Sequence, residues 1–171
     1  MAIATVNPSR FYEVLWDDPA ELVAASRRYP GLDFLRAIAR GKLPAPPICK
    51  ALDFSFENVE EGSIQAGMRP SEMHYNAIGS VHGGVIATLL DAVMGCAVHT
   101  KLDRGRGYTT LEIKVNYVRA LTRHTHRVCA TGRVVHLGRR TAIADGFLED
   151  NTGRIYARGT TTCLILDLSG A

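Results

Sequence analysis

The sequence has no run approaching the ~20 apolar residues of a membrane-spanning helix, and no basic-then-apolar N-terminal pattern. It has no Cys-x-x-Cys pair, no internal repeat and no low-complexity segment. Its four cysteines (Cys49, Cys96, Cys129, Cys163) are widely spaced in apolar segments. They read as buried small hydrophobes in a reducing compartment, not as disulfides or metal ligands. The expectation is a cytoplasmic protein, away from the membrane. A net charge of +3 suits an anionic small ligand but is too small, without a clustered basic face, to indicate nucleic acid. A Gly-x-Ser-x-Gly elbow is also missing, and Ser80 has no histidine or acid arranged to activate it. His124 and His126 could share one face of a strand, but no cysteine or carboxylate near them completes a metal site. They read as part of a polar turn.

What remains is ordinary globular material. The 171 residues, 46% hydrophobic and 22% charged, fit one domain with a proper core. Its most informative stretch is Asn76–Thr100, NAIGSVHGGVIATLLDAVMGCAVHT. A polar loop passes through His82-Gly83-Gly84 into a long apolar helical pattern interrupted by one carboxylate, Asp91. On a helical wheel Asp91 lies among Gly84, Ala87, Thr88, Met94, Gly95 and Val98, with no Lys or Arg at helical spacing to pair with it. A solvated strip is rarely built from such residues, so Asp91 reads as a functional carboxylate. The glycine pair at the helix start exposes amides that lack internal partners, at the positive end of the helix dipole. An oxygen gaining negative charge would be stabilised there. His82 and Asp91, nine residues apart, lie about 13 Å apart along the axis and half a turn around it. Two such groups on one straight helix cannot serve the same bond, so the spacing calls for a site shared between two copies.

Residues 1–47 differ in character. Pro8 and Ser9 precede FYEVLW, Asp17-Asp18-Pro19 opens ELVAASRRY, and Pro30-Gly31 opens LDFLRAIAR, which suggests two or three short helices. Leu32, Leu35, Ile38 and Ala39 form an apolar face expected to pack on the main domain, and Phe11, Tyr12 and Trp16 read as anchors. A DNA-binding helical unit is disfavoured for want of a basic recognition helix. LPAPP is a linker, and residues 48–171 form the main domain. There, alternating segments predict a hairpin (Phe54–Val59 and Ser63–Arg69), then the helix, ending near His99–Leu102. Strands follow at Tyr108–Arg119, Arg127–His136, Thr141–Glu149 and Arg154–Leu166, joined in part by turns at LGRR and DNTG. His99 reads as a helix-end residue favouring the negative pole, and His74 as a loop residue near substrate. Two strands, one buried helix and four strands make an α+β fold, an antiparallel sheet wrapped around a single helix.

This arrangement, with Asn76, His82-Gly83-Gly84 and Asp91 in an N-x5-HGG-x6-D spacing and the segments TLEIKVNYVR and GRRT, resembles the hotdog-fold acyl-CoA thioesterases of the PaaI-like group. The resemblance covers about residues 48–166. It implies dimers that pair their sheets edge to edge, further assembled into tetramers, with each active site between two subunits. It assigns Asp91 as general base or nucleophile, the Gly83 amide to polarise the thioester carbonyl, and Asn76 to orient carbonyl or water. His82 would support the Asn76 loop, and Thr110 would help hold the water. Coenzyme A would lie against Gly84, Tyr117, Val118 and Arg119 and the turn Gly138, Arg139, Arg140 and Thr141, with Arg104 and Arg106 as further candidates. Ala87, Thr88, Met94 and Val118 would help line the acyl pocket. A thioester has a good leaving group, so one carboxylate, one amide donor and a positioned water suffice. No metal or cofactor is implied, since coenzyme A belongs to the substrate. Three other readings stay open: a non-catalytic acyl-CoA-binding or sensing protein, a purely oligomerising domain, and a hotdog hydratase, whose His-containing loop is missing.

Overall fold

The structure, a computed structural model, describes residues 9–168. Helices α1 (Pro19–Arg28), α2 (Gly31–Ala39) and α3 (Pro47–Ala51) precede the hairpin of β1 (Phe54–Glu60) and β2 (Ser63–Met68). The long helix α4 (Gly83–His99) follows, then β3 (Arg106–Tyr117), β4 (Val128–Leu137), β5 (Thr141–Asp150) and β6 (Ile155–Asp167). The fold is the α+β hotdog: six antiparallel strands in the order β1-β2-β4-β5-β6-β3, curled around α4. The chain order hides one feature of this layout. After α4 the chain crosses to the far edge to lay down β3 beside β6, then returns to place β4 against β2.

Helix α4 is buried along most of its length, with Leu89, Leu90, Val93, Met94, Ala97 and Val98 fully inaccessible. Its close seat on the sheet depends on a row of three glycines. Gly132, Gly146 and Gly159 pair with one another across β4, β5 and β6. A Cβ on Gly132 would run into the Val93 carbonyl, and one on Gly146 would meet the Met94 side chain at 2.8 Å. The missing side chains therefore set the distance between helix and sheet. At its end, the Thr100 hydroxyl donates to Ala97 O (2.6 Å) and accepts from Gly62 N (2.7 Å), tying the helix to the β1–β2 turn.

The two sheet edges are treated differently. Helix α2 lies over β1, and Arg36 Nε donates to the Val59 carbonyl (3.2 Å), using up an edge acceptor. The edge of β3 has no strand beyond it among the described residues. Within the β5–β6 turn, Asp150 accepts from Thr152 and from Arg154 N and Tyr156 OH. The bond from the Thr152 hydroxyl contributes most to holding its carboxyl down at about 2.

Three expectations for the rest of the chain are corrected. FYEVLW forms no helix. Six residues dominated by aromatic and β-branched side chains nucleate one poorly, and Asp17-Asp18-Pro19 starts α1 immediately after; its supposed start at Pro8 lies outside the described residues. Tyr12 anchors this segment through its hydroxyl on Lys50 O (3.2 Å), whereas Phe11 and Trp16 stand 95% and 60% exposed, because only one side of the segment meets protein. His99 is no cation at the helix end. It is buried between the rings of Phe34 and Tyr108, and burial pushes it down to about 4, leaving it neutral.

Replacing Gly132 by Ala should lower stability by about 3 kcal/mol, because backbone must move. Gly146→Ala should cost about 1 kcal/mol, because the flexible Met94 side chain can yield. Urea denaturation of both variants checks the order; equal losses would contradict the seating of α4 on this row.

Candidate active site

The loop before α4 is self-braced. Asn76 Oδ1 accepts from Ile78 N (3.0 Å) and Ser80 N (3.2 Å), while Asn76 Nδ2 donates to Ser80 Oγ (3.0 Å). His82 caps the helix: its Nδ1 accepts from Gly84 N at 2.9 Å. Its ring therefore serves the helix start, and its link to the loop is the backbone bond from His82 N to His74 O (2.8 Å). That cap occupies the Gly84 amide. The Gly83 amide, at the first helical position, has no intrahelical acceptor. His74 is buried in the loop, with Ser71 N donating to its Nδ1 (3.1 Å), and burial lowers its pKa.

Beside Gly83 lies the end of β3. The Tyr117 hydroxyl donates to Gly83 O at 2.9 Å. Asn76, Ser80, Gly83, Tyr117, Val118 and Arg119 line one cavity of about 310 Å³. The Arg119 guanidinium reaches Ile155 O at 2.6 Å.

Asp91 is on another face, two turns further along α4. It is half-buried, and Oδ1 accepts from the Thr110 hydroxyl at 2.8 Å. Thr110 reaches it because of a β-bulge: Thr110 pairs with Cys163 and Glu112 with Thr162, leaving Leu111 as the extra residue. Such bulges re-aim side chains beside sites, and nothing in the alternation of the sequence marks this one. Of the proposed pocket residues, Thr88 shares a cavity with Asp91, Met94 faces the sheet glycines, and Val118 belongs with Gly83.

Helix α4 and β3 run antiparallel, so Tyr117 meets the helix start and Thr110 meets Asp91. On one chain these two groups of residues stay apart, with about 12 Å of helix between Gly83 and Asp91. The turn Gly138–Thr141 sits at the Asp91 end, since Ala142 and Thr110 both pair with Cys163. Arg106 joins it by donating from Nη2 to Arg139 O at 3.0 Å. Arg139, Arg140 and Arg106 therefore cluster at one corner of the sheet, and Arg119 lies at the opposite end of β3. His124 and His126 lie in the short turn before β4. Burial pushes the Cys49 and Cys96 thiols up to about 12, far from nucleophilic range.

Residues 78–157 match the Thioesterase superfamily. On its hotdog fold, the chain is similar to that family over this stretch, which takes in Gly83, Asp91 and Thr110. It is 28% identical to acyl-coenzyme A thioesterase 13 of Homo sapiens over 102 residues, 59% of this chain and 71% of that one. It is 25% identical to the 1,4-dihydroxy-2-naphthoyl-CoA hydrolase of Escherichia coli over 135 residues, 79% of this chain and 94% of that one. The structure of the E. coli PaaI protein superposes with a TM-score of 0.68 at 19% identity, covering 77% of this chain and 93% of that one. The chain is accordingly a thioester hydrolase. Among its described residues no helix is long and apolar enough to cross a membrane.

The buried histidines give the thioesterase a definite pH dependence. Unfolded, His99 binds a proton below its ordinary 6.5; folded, it does so only near 4. The stability that its neutral form supplies is present above the unfolded value and drains away as pH falls toward the folded one. Between pH 7 and 5 this group alone should remove about 2 kcal/mol, and His74 acts in the same direction. Thermal unfolding of His99→Gln should show a shallower slope over that range than wild type, and an identical slope would contradict it.

Proposed function

We infer that the protein hydrolyses an acyl-CoA, releasing the carboxylic acid and coenzyme A, at sites shared between two subunits. The observation that carries this is the placement of Asp91: a half-buried carboxylate whose bond is to a threonine hydroxyl, with an unoccupied helix amide that its own chain cannot bring to it. Two β3 edges paired antiparallel near their middle would set Asp91 and Thr110 of one copy beside Gly83, Asn76 and Tyr117 of the other. A dimer is then the minimum, the family resemblance favours a tetramer, and the four unpaired cysteines fit the reducing cytoplasm. The active domain would begin at about residue 48, with residues 1–47 as an extension.

In that arrangement water, held by Thr110 and Asp91, attacks the thioester carbonyl carbon. Asp91 accepts the proton, and the oxyanion forms against the Gly83 amide. Asn76 orients carbonyl or water, and His82 keeps the Gly83 turn in place by capping it. Collapse expels the thiolate, which takes up a proton. Asp91 attacking directly as nucleophile uses the same groups. Water and thioester suffice, with no metal or other cofactor required. The arginine corner of Arg106, Arg139 and Arg140 suits the coenzyme A phosphates, which guanidinium groups grip in pairs of hydrogen bonds, with Gly138 and Thr141 shaping the turn. Arg119, Val118 and Gly84 contribute from the other subunit's edge.

Hydrolysis followed by release of free thiol from an acyl-CoA panel tests the reading. Asp91→Asn should lower kcat by about a thousandfold with the oligomer intact. Arg139→Ala with Arg140→Ala should raise KM about tenfold and leave kcat nearly unchanged. Full activity in Asp91→Asn would sink the assignment.

A further inference from the structure

Asp91 also borders a cavity of about 350 Å³ that the hydrolytic step does not use. Its inner wall is α4, with Asp91 and Thr88 at one side and Cys96 and His99 deeper along the helix. Its outer wall comes from Phe34 and Ile38 of α2, in the N-terminal extension, and from Ile48 of α3 at the start of the main domain. Phe54 and Phe56 of β1 and Tyr108 of β3 complete it. Three of the chain's five phenylalanines line this space. Its rings form edge and tilted pairs, Phe54 with Phe56 at 6.0 Å and His99 with both Phe34 (5.6 Å) and Tyr108 (5.7 Å). His99 contributes as an uncharged ring, so the wall is mainly apolar, with the Asp91 carboxylate and the Thr88 hydroxyl at one side.

Helix α2 is fixed in place and is no loose flap. Gly31 N donates to Leu102 O (3.0 Å), and a Cβ on Gly31 would run into the His99 carbonyl. Leu35 and Ile38 are buried at 2% and 6% exposure. Protein interiors keep few voids larger than water, and larger side chains at Ala92 or Thr88 would close this one.

We propose that this cavity receives the acyl group of the substrate, and that the N-terminal extension, through Phe34 and Ile38, selects an aryl acyl group. The proposal rests on the hydrolytic reading only in taking Asp91 as the reacting end. A cavity of roughly 150 Å³ holds one benzene ring, so this one accommodates about two fused rings. Flat aromatic walls favour an aryl group through offset and edge contacts. A flexible chain of equal volume gains less from such walls and loses more rotamer freedom.

The test uses the full-length protein with Ile38→Trp, which fills the cavity, and Phe34→Ala, which removes an aromatic wall. The first readout is the ratio of kcat/KM for naphthoyl-CoA to that for acetyl-CoA. It should fall about a hundredfold in Ile38→Trp and about tenfold in Phe34→Ala. An unchanged ratio in both folded variants overturns the proposal. The second readout is naphthoate binding, followed by its fluorescence, in Asp91→Ala with and without each wall change. Binding that the wall changes abolish or weaken supports the pocket even if wild type hydrolyses no thioester, a result that would defeat the hydrolytic reading alone. Naphthoate binding that is absent, or indifferent to both wall changes, overturns the pocket even if hydrolysis is robust.

Discussion

Eight residues of α-helix separate Gly83 from Asp91, and a helix cannot be shortened. At 1.5 Å per residue that is about 12 Å, too far for an amide and a carboxylate to reach the two sides of one thioester. Much of the architecture answers this constraint. Helix α4 is locked to the sheet by the glycine row, so its two functional ends are held at fixed places. Strand β3 runs antiparallel beside it and gives each end its partner, Tyr117 at the helix start and Thr110 at the carboxylate. That strand also keeps an open edge, which is where a second copy can bring the missing half.

The same rigidity lets the proposed mechanism work with few groups. The cap from His82 to Gly84 N consumes one amide and leaves the preceding one without an acceptor in the helix, as the proposed oxyanion contact requires. The bulge at Leu111 turns Thr110 onto Asp91, which fixes the carboxylate's rotamer. Each group is preorganised by backbone features, so little must be ordered when substrate arrives.

Much of this could be read directly from residue order. The apolar period around Asp91, the His-Gly-Gly start and the strand alternation after Gly107 are local signals, and each leads to the element found. What escaped was non-local. The bulge leaves strand alternation almost intact, so nothing in TTLEIK announces it. The partnership of Arg106 with the Gly138–Thr141 turn needs the strand order, which puts β3 next to β6. The alignment of Gly132, Gly146 and Gly159 needs the register of three strands. FYEVLW misled because start signals were weighed above the poor helix propensity of its residues, and His99 because its position on the helix was legible and its burial under α2 was not. The cavity beneath the N-terminal extension is likewise a product of packing between distant segments.

The central claim is that each site draws on two chains. It is tested most directly by mixing two inactive variants. Asp91→Ala removes the carboxylate. Gly83→Pro removes the amide while leaving a residue that the first helical position tolerates well. Co-expressed in equal amounts, half of the dimers should be mixed, each with one intact site of two. The account predicts that about a quarter of wild-type activity returns, although each variant alone is inactive. Recovery of no activity, with mixed dimers verified by mass, would mean that both groups must come from one chain, contradicting the shared site.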